Sequence, residues 1–309
     1  MRHAAAWLAA WLAVAPAEAA TLLVGPGASY PTPAAAAAAA RDGDTVQIAP
    51  GSYAGCAVWH ADRLTIAGAG AARTVIRDVI CQGKGLFVIT GNAVTVRDLA
   101  LVGARVPDGN GAGIRAEGGD LTVRGVRFER DENGILTAAN PAATVIVEDS
   151  DFIADGRCAT ACAHGIYAGH IARLVVRNSR FFATREGHHI KSRARATEIS
   201  ACRIADGPDG TASYLIDIPN GGVVTIRHNR MEKGPHSGNP GTAIMLGAEG
   251  VTNPTPAIRI IDNVFHDDGA PTVFVRDLTA TQAQLSGNVL AGPVVPLATT
   301  RTDGGGHRP

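Results

Sequence analysis

The chain has 309 residues, a formal net charge of zero, and only 18% charged and 5% aromatic side chains. Neutral composition removes the basic footprint that a nucleic-acid or anionic-membrane binder carries. No stretch reaches the about 18 apolar residues of a bilayer span, and the length suits one sizeable domain or two small ones.

The first residues read as an export signal. Arg2 and His3 precede an apolar run from Ala4 to Ala15, followed by Ala17-Glu18-Ala19, a small-x-small cleavage signature. The expectation is a signal peptide over 1–19 and a secreted or periplasmic mature chain, a setting that permits disulfides. Cys56 and Cys81 are 25 positions apart, Cys158 and Cys162 share one loop, and Cys202 is left over. No spacing matches a common zinc pattern. No metal is assigned, two disulfides are expected, and Cys202 is expected as a buried free thiol.

The alanine run after Pro33 predicts a short helix that covers the open N-terminal end of a stack of strands. Thr32 is its N-cap, Pro33 sits in its first turn and Gly43 ends it. Thr45 to Ile48 reads as a strand closed by the Pro50-Gly51 turn. Beyond it, strands with alternating β-branched residues start at Leu64, Val94, Leu121, Val145, Leu174, Thr197, Val224, Ile258 and Ala283. Their spacings are 30, 27, 24, 29, 23, 27, 34 and 25 residues. A period in the twenties that tolerates insertions marks a solenoid. No helical pattern lies between the strands, so the fold class is all-β, a parallel β-helix. Its domain spans 20–292, with an extension over 293–309 that ends in a disordered tail. Asn229, Asn263 and Asn288 occupy equivalent positions and predict an inward asparagine ladder.

A second ladder of aliphatic anchors runs between these strands: Ile114, Ile135, Ile166, Ile190, Ile216, Ile244 and Val273. If each anchor points inward, its neighbours point outward. Tyr167, Lys191 and Asp217 then form one column on the outer face, with His189 beside it and Arg193 and His170 slightly further along. The same alternation turns His164, His188 and Tyr214 inward or into a corner.

The opening Gly43-Asp-Thr-Val-Gln-Ile-Ala-Pro-Gly-Ser-Tyr53 and the repeats resemble the right-handed parallel β-helix superfamily that includes pectate lyases. The resemblance covers roughly Leu22 to Gly292 and implies a single-stranded, right-handed coil. Gly187-His-His-Ile-Lys-Ser-Arg-Ala194, Gly210–Gly222 and Gly247-Ala-Glu-Gly250 resemble an exported bacterial subgroup. The aspartate set that binds calcium in pectate lyases is not found, so calcium has no motif behind it. The Asp-Pro-His signature of mannuronan epimerases is also missing.

Two readings are open. In the first, the protein is a lyase or C5-epimerase acting on an acidic polysaccharide. Both reactions remove a proton beside a uronate carboxylate, and both need a cation, a base and an acid. Arg193 would hold the carboxylate, His189 or Lys191 would be the base, and Tyr167 the acid. His170, Asp217, Tyr214, His188 and His164 would contact substrate. In the second, the same patch binds a glycan or a surface partner without catalysis: Lys191 and Asp217 form a cross-coil ion pair, and Tyr167 is a sugar-stacking platform.

Overall fold

A computed structural model describes residues 18–299. The expected signal peptide up to residue 17, and the tail beyond residue 299, lie outside the described residues. Each coil of the chain gives one strand to each of three parallel sheets of 11, 10 and 10 strands. The first sheet holds the β-branched repeats, paired residue for residue, as in Val94↔Leu121↔Val145↔Leu174. Alternation sends Leu121, Val123, Val145 and Val147 into the core, while Thr122 and Ile146 face outward. Among the described residues, no helix is long and apolar enough to cross a membrane.

The bend from the first sheet to the second takes two residues. Its first residue has positive φ in eight successive coils: Asp98, Gly125, Asp149, Asn178, Ala201, His228, Asp262 and Gly287, at 51–64°. The left-handed conformation turns the chain sharply and points the next residue inward. Those next residues are Leu99, Val126, Ser150, Ser179, Cys202, Asn229, Asn263 and Asn288. The asparagines hydrogen-bond in sequence: Asn229 Nδ2 donates to Asn263 Oδ1, and Asn263 Nδ2 to Asn288 Oδ1, both at 2.9 Å. Cys202 is the next rung, with its N–H donating to Asn229 Oδ1 at 2.9 Å and its thiol to Ser200 O at 3.3 Å. Burial pushes this free thiol up to about 11. In the second sheet, Phe128, Phe152 and Phe181 stack through the core with centroids 4.6 and 4.5 Å apart.

The helix spans Pro33–Ala39, and Thr32 Oγ1 accepts from Ala35 N at 3.2 Å. It ends at Ala40, before the expected stop. Ala40 is already extended, whereas Gly43, at φ 84°, makes the turn into the strand Thr45–Ile48. The Cys56–Cys81 and Cys158–Cys162 disulfides have Cα atoms 5.5 and 4.0 Å apart.

Two boundaries differ from the sequence reading. The anchor in line with Ile244 is Val275, not Val273. Both have the same parity, so alternation alone cannot separate them; Val275 is buried and Val273 half-buried. The strand Val294–Ala298 also pairs with Thr272–Asp277, so the solenoid continues past Gly292.

Candidate functional site

The third sheet carries the site. Its strands Ile166–Ala168, Ile190–Ser192 and Ile216–Ile218 stack with Ile166, Ile190 and Ile216 in register, wholly buried. Tyr167, Lys191 and Asp217 therefore stand in one column on the opposite face. Leu136 and Met245 occupy the same position in the flanking coils and confine the polar column to three rungs. Lys191 Nζ lies 3.4 Å from Asp217 Oδ2 and 5.8 Å from the centre of the Tyr167 ring.

Arg193, two residues past Lys191, shares the outward face. Its Nε donates to Tyr167 OH at 2.9 Å and its Nη1 to Asn220 Oδ1 at 2.6 Å. Both cations then meet one carboxylate. Glu249 receives Lys191 Nζ on Oε1 at 2.6 Å and Arg193 Nη2 on Oε2 at 2.5 Å. Burial alone would raise the Glu249 carboxyl, but these two cations outweigh it and hold it below its ordinary range. Glu249 arrives from two coils away, on the loop after the strand Thr242–Leu246. Gly247 and Gly250 flank it at φ 77° and 92°. The segment Gly247-Ala-Glu-Gly250 stands out in the sequence, but alternation gives no role to Glu249 or to Asn220. The two glycines around a lone acidic residue are the available signal. The two partners are 56 and 58 positions away, and only the coil geometry joins them.

His189 is not on this face. It is wholly buried between Thr184 Oγ1 at 2.8 Å and Asp206 Oδ1 at 2.9 Å, edge-on to Phe181. The chain turns a corner just before Ile190, so strand alternation does not apply to the residue preceding the anchor. Replacing His189 with alanine would leave the buried Asp206 without its ring partner. The expected cost is about 3–5 kcal/mol of stability, read by denaturant unfolding, with the outer column unchanged. A variant as stable as the parent would refute this structural assignment.

The corner turns His164, His188 and Tyr214 toward the column instead. They stack with centroids 4.8 and 5.0 Å apart, and His164 lies edge-on to Tyr167 at 5.3 Å. Backbone N–H groups fix their tautomers. His188 N donates to His164 Nδ1 at 2.9 Å, and Tyr214 N donates to His188 Nδ1 at 3.1 Å. Burial, helped by Lys191 and the neighbouring charges, drives both histidines well below their ordinary value, so both are neutral. With Nδ1 accepting, each neutral ring carries its proton on Nε2. His188 Nε2–H then faces Asp217 Oδ2 at 3.5 Å. His170, expected at the edge, is exposed past the end of its strand and makes no hydrogen bond or ion pair with the described residues.

Neither histidine is therefore free to accept a proton, and Lys191 Nζ is engaged by two carboxylates. The acceptor left open in the column is Asp217. It is buried, its Oδ1 has no hydrogen-bond partner, and burial, only partly offset by Lys191, raises it to about 6. That value suits proton transfer near neutrality. Tyr167 OH accepts from Arg193, which leaves its own proton to donate. Among the described residues no group of three or more His, Cys, Asp or Glu side chains is arranged to hold a metal ion.

No protein family matches the sequence, and no curated protein does. Solved structures match the fold. An alginate lyase from Paenibacillus sp. str. FPU-7 superposes with a TM-score of 0.52 at 16% identity, covering 91% of this chain and 98% of the lyase. Pectin methylesterase PemA from Erwinia chrysanthemi gives a TM-score of 0.51 at 10% identity, covering 83% of this chain and 90% of the esterase. The chain is a parallel β-helix. At such identities the likeness shows the fold alone, so the chemistry of this β-helix rests on its own side chains. Its third sheet offers one buried carboxyl, one phenol and two cations on three adjoining coils, with a loop carboxylate closed over them.

Proposed function

We propose that this protein is exported, binds a uronate-containing glycan along the Tyr167–Lys191–Asp217 column, and abstracts the proton beside the uronate carboxylate as a lyase or C5-epimerase. One observation carries this reading: Lys191 and Arg193 already close together on a carboxylate, that of Glu249. A sugar carboxylate entering the column would meet the same two cations. They would stabilise the negative charge that develops when the neighbouring C–H is broken. Asp217 takes the proton, with His188 Nε2–H steadying its other oxygen. In a lyase, Tyr167 gives its proton to the departing glycosidic oxygen. In an epimerase, a proton returns to the same carbon from the opposite face. The fold is shared with an alginate lyase and a pectin methylesterase, which supports an acidic polysaccharide as the substrate class. Two disulfides support an oxidising compartment.

The test is a panel of pectate, alginate and glucuronan, each with and without calcium. A lyase raises the ultraviolet absorbance of the unsaturated sugar product. An epimerase instead exchanges the C5 proton with deuterated solvent. A non-catalytic glycan binder is the second reading, favoured by the closure of Glu249 over both cations. It is the answer if a glycan binds and neither signal appears. If none of the glycans binds, the uronate reading fails.

A further inference from the structure

We infer that a notch beside the candidate site, at the corner between the second and third sheets, is a second binding site. It takes an oxyanion: a sulfate or carboxylate substituent of a glycan. Its walls are uneven connections between those sheets. The link over residues 130–132 has three residues, whereas the link before it spans 103–111 and the one after it spans 154–165. The short turn between two long loops leaves a cavity of about 350 Å³.

Three guanidinium groups from three coils line it: Arg105, Arg157 and Arg185. Arg157 is anchored by Glu132, whose Oε1 accepts its Nη1 at 2.9 Å. Glu132 is 1% exposed, and its Oε2 accepts Val106 N at 3.0 Å and Gly111 N at 2.8 Å. One buried carboxylate thus fixes Arg157 and the loop that carries Arg105. On the other wall, Glu186 accepts from Cys158 N, and its own N–H donates to Thr211 Oγ1 at 3.0 Å. The Cys158–Cys162 disulfide closes the hairpin at this edge.

The walls are therefore built, yet two of the three cations are unspent. Many arginines on this solenoid pair with a carboxylate, among them Arg77, Arg97, Arg124 and Arg180. Arg105 and Arg185 make no side-chain hydrogen bond or ion pair with any described residue. Planar forks converging on one cavity suit an oxyanion with several acceptor oxygens.

The test uses the full chain with arginine side chains labelled for nuclear magnetic resonance. It is titrated with inorganic sulfate against chloride at constant ionic strength, then with a sulfated and an unsulfated uronate oligosaccharide. Expected is a saturable shift of the Arg105 and Arg185 Nε–H signals. Affinity for sulfate should fall about tenfold or more in the Arg105→Ala/Arg185→Ala variant. An Arg203→Ala/Arg230→Ala control should stay within about twofold. Both exposed pairs can be removed without touching the buried Glu132. Loss confined to the sulfated oligosaccharide identifies sulfate as the ligand group; loss with both identifies any carboxylate or sulfate. The inference is overturned if sulfate produces no saturable shift, or if the double variant binds as the parent does. The inorganic-sulfate shift at Arg105 and Arg185 is read without glycan or turnover, so a failure of the glycan-column reading leaves it in place and the two failures are separable.

Discussion

Replacing Asp217 with asparagine is expected to lower turnover on the right glycan by about 10³-fold and to leave glycan binding in place. Asparagine keeps an oxygen for the His188 Nε2–H but cannot take a proton. The parent should show an acid limb in its pH profile near 6, where Asp217 ionises, and the variant should show none. Stability supplies a second readout. The folded carboxyl is raised from 3.8 to about 6, so the fold favours the protonated form. Its contribution to stability is full below about pH 4 and is lost as the pH rises through about 6. A rise from 3.8 to about 6 corresponds to about 3 kcal/mol, so the asparagine variant should hold its stability from pH 4 to 7 better than the parent. A variant that keeps full turnover would remove Asp217 from the chemistry. One that unfolds at neutral pH would mark the carboxylate as structural.

Replacing Glu249 with alanine should tighten binding of a uronate oligosaccharide by about tenfold, equivalent to about 1.4 kcal/mol. The parent must break two charge-assisted contacts before its cations can meet a sugar carboxylate, whereas the variant has neither contact to break. Calorimetry with oligogalacturonate and oligoalginate measures the change. The gain should vanish when Lys191 is also replaced by alanine. Unchanged or weaker binding would mean that Glu249 belongs to the binding surface and does not occupy the ligand's place.

The fold was legible because the core repeats. Ile166, Ile190 and Ile216 announce their stacking by spacing alone, and Asn229, Asn263 and Asn288 announce a ladder by identity. Cys202 belongs to that ladder but does not announce it, because a thiol among serines and asparagines does not look like the same rung. Within the site, the Tyr167–Lys191–Asp217 column follows from alternation along straight strands. Alternation fails at corners, which is why His188 and His189 exchange places. The link from Glu249 to Arg193 was illegible for another reason: it spans two coils and depends on how a glycine-flanked loop folds back. The acid–base assignment also needed the structure, since only the backbone donors to His164 and His188 show which ring nitrogen carries the proton.

Within the three sheets, each strand pairs only with the strands of the coil before it and the coil after it. Such a stack has no central cooperative knot, so it frays from its two ends inward, and the cost of opening grows with every coil peeled away. In the third sheet of ten strands, the rungs of Asp217, Lys191 and Tyr167 are the fourth, fifth and sixth counted from Val294–Ala298. Four more strands lie beyond Tyr167 on the other side, ending at Ala57–Trp59. Thermal breathing at either terminus must therefore undo several whole turns before it disturbs the column. Amide exchange should record this as protection that rises from both ends toward the middle.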